Sequence, residues 1–153
     1  MVVIADTTPV NYLVLTGHQD LLPRLFGRLL IPEAVLRELR AAATPQAVRE
    51  WMQNPPEWLE IRAVTGTPDQ TLSHLEQGER QAIQLAEELS AELLLVDEKA
   101  ARREAAKRNL RTTGTLGILG SGRRKRASRF RSVVATAQRN QLLYLIFGGK
   151  VLP

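Results

Sequence analysis

Two aspartates directly follow short apolar runs, and this placement is the first sign of chemistry in the chain. Asp6 ends Val2-Val3-Ile4-Ala5, and Asp97 ends Leu93-Leu94-Leu95-Val96. Runs of this length read as buried strands, and in an open parallel sheet the binding crevice lies beyond the carboxyl ends of the strands. Both carboxylates are therefore expected on one edge of a sheet, although aspartate is also a common helix N-cap and either residue could serve only as that. Glu79 adds a third acid. It lies three, four and seven residues before Ala82, Ile83 and Ala86, on the apolar stripe of the helix it starts. An acid on an inward face is costly unless neutralised, paired or bound to a cation, while a first-turn position lets the helix dipole stabilise it. Glu76 could take its place from the preceding loop. Glu38, three residues after Val35 and beside Leu39, borders the apolar face of its own helix. A solvated acid between Arg37 and Arg40 fits that spacing equally well.

Four carboxylates meeting in a partly buried pocket would repel one another, and a hard cation resolves that conflict. The chain has no cysteine and only two histidines, His18 and His74. Thiolate zinc sites, disulfides and cysteine nucleophiles are thereby excluded, and an oxygen-only ligand set suits Mg²⁺ or Mn²⁺ rather than zinc or copper. A cation so held can lower the pKa of a bound water and stabilise charge on the leaving oxygen of a phosphodiester, which is metal-assisted hydrolysis.

The elements that must position these acids alternate between strand-like and helical patterns up to residue 119, an order that predicts crossover units and a mainly parallel sheet. A strand over 2–5 leads to a helix opened by Thr8 and Pro9, and Leu29-Leu30-Ile31 is a second strand. Pro32 opens a helix through Arg40, and another helix covers 44–53. After the Asn54-Pro55-Pro56 breaker, Trp58 to Val64 alternates like an outer strand, and 66–69 is a loop. A helix over 79–89, a strand over 93–96, a helix over 98–109 and a last strand over 110–113 complete the pattern. With 153 residues, 44% of them hydrophobic and 24% charged, the chain is expected to be one soluble domain rather than a disordered or collagen-like polymer. No run approaches the roughly 18 apolar residues of a membrane span, and the first residues lack a basic leader, so a cytoplasmic location is expected.

The quoted residues, taken in order, resemble a known family. Ala5-Asp6-Thr7-Thr8-Pro9, Leu36-Arg37-Glu38-Leu39, Gly78-Glu79-Arg80-Gln81-Ala82-Ile83, Leu95-Val96-Asp97-Glu98 and Thr113-Gly114-Thr115-Leu116-Gly117 are similar to the PIN domain, and more closely to PIN-like proteins related to VapC-type ribonuclease toxins. The resemblance covers residues 2 to 119. It implies a three-layer α/β/α sandwich with a central, mainly parallel sheet and an endoribonuclease dependent on Mg²⁺ or Mn²⁺ that cleaves single-stranded RNA. Asp6, Glu38, Glu79 and Asp97 would be its catalytic, metal-binding acids. The toxins often carry Asp at the third place, and Glu79 departs from them while fitting the Gly-Glu variant of the relatives. By the same resemblance Thr8 fills the polar place two residues after the first acid, and Arg102 and Arg103 would meet substrate phosphate. A plain cap for Thr8, and solvent for at least one of the arginines, are the ordinary readings. Toxin activity implies a cognate antitoxin, and many such toxins form homodimers. The alternative is a catalytically weak PIN-like module that binds RNA or protein. A haloacid-dehalogenase-like phosphatase would want a second acid two residues after the first, where Thr8 stands.

Residues 120–153 are a separate problem. The first 119 residues carry 13 basic against 16 acidic side chains, whereas the remainder carries eight basic residues and no acid. Five of these eight are Arg123, Arg124, Lys125, Arg126 and Arg129, which read as a phosphate-gripping arm or as a solvated tail. The relatives continue instead with an acid-containing amphipathic helix. Asn140 to Phe147 can be encoded by bases that, read one position later, spell Thr-Asn-Phe-Tyr-Ile-Ser-Ser, closer to the family's ending. A frameshift near Gly120 would make the basic charge accidental. Genomic sequence without a one-base displacement relative to close relatives would dismiss that reading.

Overall fold

Alternate residues of each central strand point to opposite layers, and this sorts the apolar side chains into two cores. The computed structural model describes residues 1–125. Val3 and Ala5 pack into one core with Leu29, Ile31 and Leu95, while Ile4 packs into the other with Leu30, Leu94 and Val96. The strands β1 (Val3–Ala5), β2 (Leu29–Pro32), β3 (Leu59–Arg62), β4 (Leu93–Leu95) and β5 (Thr112–Thr113) form a sheet of order β3-β2-β1-β4-β5. Every pairing is parallel. Seven helices occur among the described residues: α1 (Thr7–Leu15), α2 (Leu21–Phe26), α3 (Glu33–Arg40), α4 (Gln46–Trp51), α5 (Gln77–Glu88), α6 (Lys99–Lys107) and α7 (Thr115–Lys125). Helices α1 to α4 and α7 supply the first core, through residues such as Val10, Leu22, Val35, Val48 and Ile118. Helices α5 and α6 supply the second, through Ala82, Ile83, Ala86, Ala101 and Ala105. The fold is the expected three-layer α/β/α sandwich.

Strand order fixes where a site can form. From β1 the chain moves outward through β2 and β3, then returns to lay β4 on the opposite flank of β1. The order therefore reverses at β1, and crevices open at such a switch point. The Asp6 N–H donates to the Leu95 carbonyl at 2.9 Å, tying the carboxyl ends of β1 and β4 together.

Several boundaries differ from the expectation. Helix α1 starts at Thr7, with Asp6 rather than Thr8 at the N-cap position. Pro9 consequently lies within the first turn, where its missing N–H had no intrahelical acceptor to lose. Pro32 ends β2 and caps α3 instead of opening it. Helix α5 begins two residues before Glu79, and α4 and β3 are shorter than the expected 44–53 and 58–64. Helix α7 runs through the expected boundary at 119–120. The readings of the arginine cluster as an arm and of the chain beyond Gly120 as frameshifted fall mostly on residues 126–153, outside the described residues.

Candidate active site

Asp6 is the centre of the arrangement. Its residue is 2% exposed, it makes no capping bond with its side chain, and its Oδ1 has no hydrogen-bond partner among the described residues. Burial pushes its pKa well above the usual carboxylate range; the Thr7 N–H offsets this in part, and the charges of Glu79, Glu38 and Asp97 push it further up. The three other expected acids thus lie within electrostatic reach of the first, although they come from different helices and loops.

Each of those three is held by a different device. Glu38 is not solvated between Arg37 and Arg40. Its carboxylate accepts the Thr7 hydroxyl and the Gly78 N–H, the latter at 3.0 Å, while Arg40 bonds the Met52 carbonyl. The acid therefore sits against the first turn of α5, where free N–H groups and the helix dipole favour negative charge. Glu79 turns back along that helix to accept the Glu76 N–H at 3.1 Å, while Glu76 caps the N–H of residue 79, so the two form a capping box. Glu79 is 7% exposed. Burial raises its pKa from 4.5 to about 7, offset in part by the Glu76 N–H and reinforced by the charges of Glu76, Glu98 and Glu38. Asp97 is not the cap of the helix that follows it. Its oxygens accept the Thr115 N–H at 2.8 Å and the Thr115 hydroxyl at 2.6 Å, fastening it to the start of α7.

Arg102 donates through Nε to the Val96 carbonyl at 3.0 Å and places Nη2 3.9 Å from Asp97. Arg103 is exposed. Thr8 is half-buried, but Thr7 supplies the hydroxyl that reaches the acids. Tyr12, on α1, has its pKa pushed up to about 12 by burial, with the charges of Asp97 and Glu98 adding to it. Tyr12 and Glu98 thus join the neighbourhood, together with Thr115 as the clamp on Asp97. None was expected as a site residue. The signal for Glu98 was its adjacency to Asp97, whereas nothing local marks Tyr12 or Thr115.

Family and structural comparisons bear on the fold. The family model described as PIN domain matches residues 2–142. The chain belongs to the PIN domain family. The match extends past residue 119, where the sequence resemblance stops. A solved PilT N-terminus domain protein from the hyperthermophilic archaeon Sulfolobus solfataricus P2 is similar in fold, at TM-score 0.58 and 17% identity, covering 79% of this chain and 92% of that one. Among curated proteins none matches this chain.

In this PIN domain, the donor set and the orphaned Asp6 oxygen fit a hard divalent cation: four carboxylates, one with a buried lone pair that nothing satisfies. Among the described residues no three acidic or imidazole groups stand close enough together, as placed, to hold an ion. Glu38, Glu79 and Asp97 instead spend oxygens on protein donors. Two glycines leave room for these carboxylates. A Cβ at Gly78 would overlap both Glu38 oxygens, and one at Gly114 would overlap Asp97 Oδ1 and the Arg102 guanidinium. Gly78→Ala should therefore displace a movable carboxylate rather than the backbone. Thermal unfolding is expected to shift by less than about 1 kcal/mol, because helix propensity partly compensates. Any reaction in which Glu38 takes part should slow about tenfold or more, as 1.4 kcal/mol of lost transition-state stabilisation implies. Unchanged rates would show that Glu38 has no part in the reaction.

Proposed function

We propose that this chain is a divalent-cation-dependent endoribonuclease acting on single-stranded RNA, with Asp6, Glu38, Glu79 and Asp97 as its acids. The observation that carries the reading is the buried Asp6 carboxylate, whose Oδ1 has no partner among the described residues, within the field of three further acids at the sheet's switch point. Structural needs alone give no reason to keep such a charge there. Asp6 and Asp97, at adjoining strand ends, would hold Mg²⁺ or Mn²⁺, with Glu38 and Glu79 beside them. The cation would supply an activated water and charge neutralisation. The protein's own groups do the positioning. Thr7 and Gly78 orient Glu38, Thr115 orients Asp97, and Arg102, exposed beside Asp97, offers a cation to the substrate phosphate. Arg103 offers a second on the same helix.

The test is cleavage of single-stranded RNA by the full chain in Mg²⁺ or Mn²⁺, with EDTA and Asp97→Asn as controls. Cleavage that survives both overturns the centre. A second reading, a binding module with weak catalysis, is favoured by the protein donors that already occupy Glu38, Glu79 and Asp97. It predicts no rise in unfolding temperature with added cation, whereas a metal site stabilises the native state by mass action. The toxin role with a cognate antitoxin is the narrower form of the first reading. A small DNA-binding protein encoded beside this gene would support it, and a solitary gene would weaken it.

A further inference from the structure

Helix α5 carries Glu79 on its buried face, and the opposite, more exposed face of its first turns lines a cavity of about 250 Å³. Gln77, Arg80, Gln81 and Gln84 follow one another at helical spacing along that face, opposite Val64 and Pro68. The volume lies below the roughly 300 Å³ at which pockets begin to hold drug-sized ligands, so one planar ring fits and a dinucleotide does not.

The polar groups here have defined directions. The Ala34 N–H donates to Gln81 Oε1 at 3.0 Å, which leaves the Gln81 NH₂ group to donate. Gln84 Nε2 donates to the Thr67 carbonyl at 2.9 Å, which leaves the Gln84 oxygen to accept. Backbone partners fix both amide orientations, so donor and acceptor sit one helical turn apart. Beside Gln84 on the same face, Arg80 carries a buried Nε with no hydrogen-bond partner among the described residues. The Asp69 wall is fastened from outside by Arg108 at 2.9 Å, so its charge is already matched. A ligand for this lining needs a flat ring whose edge both accepts and donates, and which carries little charge of its own. Nucleobase edges have that pattern, and unpaired RNA exposes them.

We propose that the cavity is a base-binding subsite, holding one nucleobase of a single-stranded RNA next to the acids. The inference rests on the nuclease reading for RNA as the source of that base. Arg80 directly follows Glu79 in sequence, and Gln77 to Gln84 spans only about 10 Å of helix axis at 1.5 Å per residue. Glu79 and this face lie on opposite sides of a helix about 10–12 Å across, so a strand passing its N-terminal end can seat a base here while its backbone reaches the acids.

The experiment titrates the ¹⁵N-labelled full chain, in EDTA, with AMP, GMP, CMP and UMP, and with ribose 5-phosphate as the base-free probe. Saturable shifts of the Gln77, Gln81 and Gln84 side-chain amides with at least one mononucleotide, and not with ribose 5-phosphate, are the expected result. Arg80→Met should weaken that binding about tenfold through loss of charged hydrogen bonds. In RNA cleavage it should raise KM by about the same factor and leave kcat within about twofold. Should Arg80→Met not fold, Gln77→Ala, on an exposed residue with no bond to another element, is expected to weaken binding about threefold. No saturable shift, or equal shifts with ribose 5-phosphate, overturns the proposal. Base binding without RNA cleavage in Mn²⁺ keeps the subsite and overturns the nuclease reading; cleavage without base binding does the reverse.

Discussion

Asp6→Asn is expected to make the metal-free protein more stable while abolishing both RNA cleavage and stabilisation by Mn²⁺. The side chain is held at a buried position where Oδ1 finds no donor and three acids oppose its charge. A neutral isostere removes the repulsion and the cost of burying a charge. The metal-free variant should therefore unfold at a higher temperature than the parent chain near pH 8, where the buried charge is least favourable. The rate should fall at least a hundredfold, since the lost charge stabilisation is worth several kcal/mol. The same exchange at Asp97 separates site from scaffold. Its carboxylate accepts two bonds from Thr115 and faces Arg102. Asp97→Asn should therefore cost about 1 kcal/mol of stability while also losing activity. A lower unfolding temperature for Asp6→Asn would assign that residue to the scaffold, and surviving cleavage would remove it from the chemistry.

What could be read ahead of the structure divides along the range of the interactions concerned. Asp6 and Asp97 were legible because an apolar run sufficient for a buried strand ends in an acid, and parallel topology places all such ends on one edge. Glu79 was legible because its spacing to Ala82, Ile83 and Ala86 puts it on a buried stripe. Its capping box was not, because Glu76 is an unusual N-cap residue and Gln77-Gly78 conceals the helix start. Glu38 borders its helix's apolar face, but its partner is a backbone N–H 40 residues away, which no local pattern encodes. The preference for Thr8 over Thr7 comes from the resemblance, which puts a polar group two residues after the first acid, whereas Thr7, about 100° away around α1, is the one that reaches Glu38. Helix α2 escaped because it is six residues long with Pro23 inside. Helix α7 escaped because Gly117, Gly120 and Gly122 suppress its apolar periodicity. Two of these glycines permit close approach: a Cβ would overlap the Thr113 hydroxyl at Gly117 and crowd Leu21 at Gly122.

The stability of the metal-free protein should fall as pH rises from about 4.5 through 7, the opposite of most acid-sensitive domains. Glu79 titrates near 7 in the native state and at about 4.5 when unfolded. Between those values the native chain holds a proton that the unfolded chain has released, so unfolding gains free energy from every rise in pH. The slope is about 1.4 kcal/mol per pH unit for one group, on the order of 3 kcal/mol across the window. Asp6, raised well above its usual range, acts in the same direction and carries the decline further. Asp69, Glu88 and Glu104 act oppositely, because hydrogen bonds lower their pKa values, from Thr71, from Gly66 and from Lys107 foremost. Their contribution is present above the unfolded values and lost as pH falls through the folded ones, so it governs only the acid side below about 4.5. The two trends place the maximum near pH 5. Urea unfolding in EDTA from pH 4 to 8 measures the curve. Glu79→Gln keeps the acceptor that the capping box needs and should flatten the decline between 4.5 and 7, leaving the Asp6 part. Saturating Mn²⁺ should cancel the decline, because a cation binds the ionised carboxylates and favours the native state most where protons compete least. A metal-free stability that climbs across the same interval would mean that the acids are paired by protein cations and need no external one.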